Sequence, residues 1–187
     1  MYNPADEHIF WEQGEPVDSP RVRAEDLPDG GKSSLSAPLP SPDSKRSVLD
    51  RSYMRMAYNW AENSYAIRRK VGALIVKDGM IISDGYNGTP SGFPNVCEDA
   101  DNATLPHVLH AEANAITKLA RHGGMGSEGA TIYTTTQPCM ECSKLIIQAG
   151  IKRVVYVESY HDESGLMLLK EAGVEVEDLP LPLQGRG

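Results

Sequence analysis

The chain has 187 residues, a formal net charge of −8 and 40% hydrophobic residues, a length that suits one domain with an appendage. The acidic balance argues against a surface built to track a nucleic-acid polymer. No apolar run approaches the roughly 18 residues of a membrane span, and the acidic start Met1–Asp6 does not read as a secretory signal, so no membrane partner and a cytoplasmic location are expected.

The first 45 residues read as a separate tail. They hold nine Asp/Glu against four Lys/Arg, and seven of the thirteen prolines. Such composition does not bury enough apolar surface to offset ordering, so residues 1–45 are expected to be a disordered or weakly docked arm. Ile9-Phe10-Trp11 is its one apolar cluster, either a docking element or incidental. A domain is expected over 46–180, with a flexible C-terminus at 181–187.

From Arg46 the pattern changes. Val48, Leu49, Tyr53, Met56, Ala57 and Trp60 recur at helical spacing, which predicts a helix over about 47–63. Val71–Val76 reads as a strand, Lys77-Asp78-Gly79 as a turn, and Met80–Ser83 as the returning strand of a hairpin. A loop rich in Gly, Pro and Asn follows, from about Gly85 to Pro106. A helix runs from Ala111 to Leu119 and stops near Gly123. Ala130–Thr134 is a strand, Cys139–Ala149 a helix, Arg153–Val157 a strand, Glu163–Ala172 a helix and Val174–Val176 a last strand. A hairpin followed by alternating helix and strand predicts an α/β fold, a mixed sheet with helices on both faces.

Two motifs carry the chemistry. His110-Ala111-Glu112 followed by Pro138-Cys139-Met140-Glu141-Cys142 spells H-x-E and P-C-x-x-C. This is the signature of zinc enzymes that hydrolyse the amino group off a nucleobase. One imidazole and two thiolates fill three of zinc's four positions and leave the fourth for water. Zinc lowers the pKa of that water from about 15.7 to about 7. Glu112, which is not a ligand, is the candidate proton carrier. Cys139 and Cys142 are three apart and share one helix face. Pro138 is expected in the first turn, and the helix dipole favours both thiolates. His110 and Glu112 are two apart, so they converge only at a helix end. Two helix N-termini meeting at one zinc is the geometry inferred. A structural zinc site is the alternative, but it would usually carry a fourth protein ligand. Three cysteines, two of them in C-x-x-C, suit metal binding in a reducing compartment better than a disulfide framework.

The chain from about 50 to 178 resembles the deoxycytidylate (dCMP) deaminase family of the cytidine-deaminase-like superfamily. The matching residues are Val71-Gly72-Ala73, Gly85-Tyr86-Asn87-Gly88, His110–Ile116, the run Pro138–Lys152 and Tyr160-His161-Asp162. The zinc motifs are shared across the superfamily; the Lys144–Lys152 run and the Gly85–Gly88 loop point more narrowly to dCMP deaminases. Gln137 and Met140 depart from the family pattern beside the first cysteine.

The resemblance implies a three-layer α/β/α sandwich around a five-stranded sheet, one catalytic Zn2+ per subunit, and a homo-oligomer, often a hexamer. It implies hydrolysis of dCMP to dUMP, with Glu112 passing a proton from water to ring N3 and then to the departing amine. It places Asn87 on the sugar hydroxyl and Ala111 beside the substrate, and it suggests dCTP and dTTP as effectors. Tyr160 is a candidate pocket wall, or a packing residue. Arg68, Arg69 and Lys70, the one dense basic cluster, are candidates for a phosphate, or a solvated strand entry. Cys97, Glu98 and Asp99 raise a second metal site, with a buried free thiol as the other reading. Two further functions stay open: deamination of another base (tRNA adenosine, cytosine or guanine), and a non-catalytic partner protein on the deaminase fold.

Overall fold

The computed structural model describes residues 42–123 and 125–180, all within one unit, Pro40–Gly187. The expected tail, apart from its last four residues, and the expected flexible C-terminus lie outside the described residues, as does Ile9-Phe10-Trp11.

The first helix, α1 (Pro42–Ala61), begins five residues before the expected start. Residues 42–45 therefore belong to the helix. Pro42 opens it where a missing N–H costs nothing. The buried stripe also differs from the one read off the sequence. Asp50, Met54, Ala57 and Ala61 face the sheet, whereas Val48, Leu49, Met56 and Trp60 are exposed. Close approach selects that face. A Cβ on Gly72 would lie 2.1 Å from the Ala57 carbonyl oxygen, so the small pair lets the helix backbone lie on the strand.

Next come β1 (Gly72–Lys77) and β2 (Met80–Tyr86), joined by Asp78 and Gly79, both at positive φ. That is the turn conformation Asp-Gly favours between antiparallel strands. After a long loop, α2 (Ala111–His122), β3 (Thr131–Thr136), α3 (Met140–Gln148), β4 (Arg153–Glu158), α4 (Ser164–Glu171) and β5 (Glu175–Asp178) follow. The elements after α1 match the expected series, with ends moved by at most three residues.

The sheet order is β2-β1-β3-β4-β5. β1 is antiparallel to β2 and β3; β3, β4 and β5 are parallel. Strand side chains alternate between faces, and this divides the core in two. Ala73, Ile75, Ile132 and Val154 pack with Ala111 and Ala115 of α2, Ile146 of α3 and Leu169 of α4. Leu74, Val76, Tyr133 and Val155 pack with Met54 and Ala57 of α1. The result is the expected three-layer α/β/α sandwich around a five-stranded mixed sheet. Two parallel crossovers step the same way along the sheet, and α3 and α4 pack on one face, as crossovers of one hand require. Each fully buried Ile or Leu of this core contributes about 1.5–3 kcal/mol relative to exposure.

Beneath α1 sits a buried polar network. Arg153 donates to both carboxylate oxygens of Asp50, each at 2.8 Å, and Tyr133 Oη donates to Asp50 Oδ1 at 2.6 Å. Arg153 also bonds Glu177. This fork–fork pair ties α1 to β3, β4 and β5.

Candidate metal centre and its cavity

Both ligand motifs sit at helix starts. His110 is the N-cap of α2, at φ −71° and ψ 157°, and Cys139 is the N-cap of α3, at φ −75° and ψ 172°. Neither side chain makes a capping hydrogen bond. In the extended N-cap conformation each is free to face the other across the gap between the helix ends. Pro138 therefore precedes the N-cap rather than lying in the first turn, because Cys139 takes the last non-helical position. Glu112 and Cys142 fall two and three residues past their caps, inside the first turns.

Glycines set the approach. A Cβ on Gly85 would lie 2.2 Å from the Ala111 carbonyl oxygen, so only glycine lets α2 begin directly on β2. A Cβ on Gly165 would lie 2.5 Å from the Pro138 carbonyl oxygen, so α4 meets the start of α3 just as closely.

His110 Nδ1 lies 3.4 Å from Cys139 Sγ and 3.5 Å from Cys142 Sγ. All three donor atoms are within 4.8 Å of one another, and among the described residues no other His/Cys/Asp/Glu group does this. Zinc bonds of about 2.0–2.1 Å to nitrogen and 2.3 Å to sulfur give a tetrahedral N···S edge of about 3.6 Å. The ligand set and its spacing thus fit zinc. Cys139 is held well below the usual thiol range, first by the hydrogen bond from Cys142 and then by that from His110. Cys142 is correspondingly pushed up by that pairing and by burial. Glu112 is 4% exposed, and its Oε2 lies 3.6 Å from Cys142 Sγ. Burial pushes its carboxyl up to about 6, against the pull of its own backbone hydrogen bond and of His110. A cation among the three ligands would draw it down again.

The ligands open onto a cavity of about 230 Å³. Of the residues expected at the site, Asn87, Ala111, Tyr160, Arg68 and Arg69 line it along with His110, Glu112 and Cys139. Lys70 does not: its Nζ lies 3.1 Å from the Glu62 carbonyl oxygen and 3.7 Å from the Glu62 carboxylate. Glu62, just past the end of α1, thus holds Lys70 away from the cavity that Arg68 and Arg69 line.

Asn87 is an anchor. Its Oδ1 accepts from the Val71 N–H at 2.8 Å and its Nδ2 donates to the Arg69 carbonyl at 2.9 Å. Each end of the amide keeps one further hydrogen-bonding position. Cys97 is a buried free thiol on the cavity wall, pushed up by burial and then by the Glu98 charge. No second metal cluster forms around it among the described residues. Glu98 Oε1 instead accepts the Ile67 and Arg68 N–H groups, at 3.1 and 3.2 Å, and Asp99 Oδ1 accepts those of Asp101 and Ala103.

Among the wall residues not expected at the substrate pocket are Glu98, raised in sequence only for a second metal, Thr136 and Gln137. Glu98 holds the backbone that carries Arg68. Thr136, 9% exposed, has an Oγ1 with no hydrogen-bond partner among the described residues. Gln137 stood out only as a departure from the family pattern, which was its one visible signal.

A sandwich with one histidine and two cysteines at facing helix N-termini, beside a buried glutamate, defines a zinc-dependent nucleobase deaminase fold. The zinc-binding region of cytidine and deoxycytidylate deaminases matches residues 47–158, and the chain belongs to that family. Deoxycytidylate deaminase of Saccharomyces cerevisiae is 37% identical, over 78% of this chain and 47% of its own length. The chain thus spans about half of that relative. The enzyme of the same name from Enterobacteria phage T4 is 34% identical, over 68% of this chain and 88% of its own. The crystal structure of dCMP deaminase from cyanophage S-TIM5, in complex with dCMP and dUMP, aligns with a TM-score of 0.67 and 42% identity, over 75% of this chain and 99% of that one.

Proposed function

We propose that this chain hydrolyses dCMP to dUMP and ammonia. The observation that carries the reading is one cavity lined both by the His110–Cys139 side of the ligand cluster with buried Glu112 and by two exposed arginines. The dCMP and dUMP bound by the cyanophage relative support the same substrate.

Bound zinc, held by His110, Cys139 and Cys142, supplies a Lewis acid that makes water nucleophilic at neutral pH. Glu112 then moves the protons. Its carboxylate takes one from the attacking water and delivers it to ring N3 as C4 is attacked. It then takes the proton of the new C4 hydroxyl and passes it to the amine, which leaves as ammonia as the C4 carbonyl forms. Burial keeps bulk water from short-circuiting that transfer. Arg68 and Arg69 meet the 5′-phosphate with charge-assisted hydrogen bonds, a local contact compatible with the overall acidic charge. Asn87 sets the backbone of that arginine stretch and reaches the sugar with its remaining capacity. Ala111, fully buried, leaves room beside Glu112. Tyr160 forms the facing wall.

The same reading takes in a deaminase domain beginning at Pro42, a cytoplasmic location, a homo-oligomer, up to a hexamer, and a response to dCTP and dTTP. The exposed apolar stripe Val48, Leu49, Met56 and Trp60 on α1 supports the oligomer. No helix among the described residues is long and apolar enough to cross a membrane.

Ammonia release compared across dCMP, deoxycytidine, cytosine, guanine and a tRNA anticodon stem tests the proposal. The phosphorylated nucleotide should be turned over fastest. Equal or faster reaction of an unphosphorylated base, or of RNA alone, would replace it with deamination of another base.

A further inference from the structure

We propose that Gln137 is a positioning residue that sets the substrate-facing wall formed by Tyr160. Gln137 is the first residue past β3 and stands two before the ligand Cys139. Its backbone N–H bonds the Glu158 carbonyl at 2.8 Å, which docks it beside the end of β4. Its side chain is 5% exposed and lines the cavity. Oε1 accepts the Tyr160 N–H at 3.0 Å, and Nε2 donates to the Asp162 carbonyl at 2.8 Å.

Those two partners fix the amide's orientation. A backbone N–H only donates and a backbone carbonyl only accepts. The side chain must therefore offer one acceptor and one donor, side by side, at glutamine's reach. A carboxylate lacks the donor, an aliphatic chain lacks both, and asparagine is one methylene short.

What is held is short. Only residues 159–163 join β4 to α4. Asp162 Oδ1 caps the next turn by accepting the Ser164 N–H at 2.9 Å, which fastens the far end. Tyr160 is the second residue of the span, its ring against His161 at 4.1 Å and its phenol oxygen without a hydrogen-bond partner among the described residues. Among the described residues its side chain makes only that local ring contact, so Tyr160 takes its place in the cavity from the backbone, and Gln137 bonds that backbone on both sides of His161. The clamp also couples the wall to the ligand loop, since Gln137 and Cys139 share one short stretch of chain.

The inference rests on the dCMP reading for its kinetic arm, and its exchange arm does not depend on that reading. The holoenzyme is compared with Gln137→Leu, Gln137→Glu, Tyr160→Ala and the double variant Gln137→Leu/Tyr160→Ala. In Gln137→Leu, KM for dCMP should rise on the order of tenfold, as expected when a wall is loosened without loss of chemistry, while zinc content and kcat hold. In the Tyr160→Ala background the same substitution should add little, because the two act as one unit. Hydrogen exchange across 159–163 should quicken in Gln137→Leu and in Gln137→Glu, with α2 and α3 unchanged. Simple space-filling would instead leave exchange and KM at parental values in the Leu variant. That outcome, full additivity in the double variant, or loss of zinc with KM unmoved would each overturn the proposal. If the parent protein fails to deaminate dCMP, the substrate reading falls, and the exchange data still decide the clamp.

Discussion

Replacing Asp50 by Asn tests whether α1 is held to the sheet by charge. The substitution keeps shape and removes the anion that accepts two bonds from Arg153 and one from Tyr133. Asp50 is 2% exposed, so Arg153 loses its main counter-charge in a dry place. Removing one partner of a buried pair costs about 3–5 kcal/mol. Glu177 still bonds Arg153 and Glu175 lies 3.6 Å from its Nε, so the low end, about 3 kcal/mol, is expected. For a domain near 150 residues that lowers Tm by about 6–12 °C. The pH dependence gives a second readout. Burial on its own would raise the Asp50 carboxyl, but the bonds from Arg153 and Tyr133 outweigh it and hold the pKa below its ordinary value. A group depressed in the folded state stabilises above its unfolded pKa, about 3.9, and loses that contribution as pH falls through the folded value. The Tm gap between parent and Asp50→Asn should therefore be full at pH 7 and close progressively below about pH 4. Calorimetry across that range decides it. A variant that melts with the parent at pH 7, or a gap that persists unchanged into acid, would refute the reasoning.

Glu112→Ala should keep zinc and fold, and lose at least about a hundredfold in kcat; ammonia release at the parental rate would sink the proton-carrier role. Cys139→Ala and His110→Ala should lose zinc, read by metal analysis, and melt earlier, because binding energy feeds folding. Gly85→Ala should destabilise the domain and weaken zinc retention, since its Cβ would press on the Ala111 carbonyl next to His110; parental Tm and zinc content would show that α2 can retreat freely. Arg68→Ala and Arg69→Ala should raise KM for dCMP on the order of tenfold each, with Lys70→Ala near parental; a larger effect at Lys70 would reverse the assignment of the phosphate contact.

Much of this protein was legible along the chain because the relevant information is local. H-x-E and P-C-x-x-C single out the candidate zinc ligands and Glu112 by spacing alone, and each motif occupies one helix start. Strand alternation and glycine stops marked the elements to within a few residues at most ends. What tertiary structure decided is of another kind. The helical periodicity of α1 was visible, but the buried face was not, because Ala57 against Gly72 and Asp50 against Arg153 outweigh the apolar stripe of Val48, Met56 and Trp60. Arg69 and Lys70 read alike in sequence and part company in space, where Arg69 lines the cavity and Glu62 takes Lys70. Glu98 stood out only beside Cys97, and Gln137 only as a departure from the family pattern; each bonds backbone 23 to 31 residues away in the chain. Residue type and spacing determine which chemistry is present. Which side chains share a cavity depends on contacts distant in sequence, and those exist only once the sheet, α1 and the crossovers have packed.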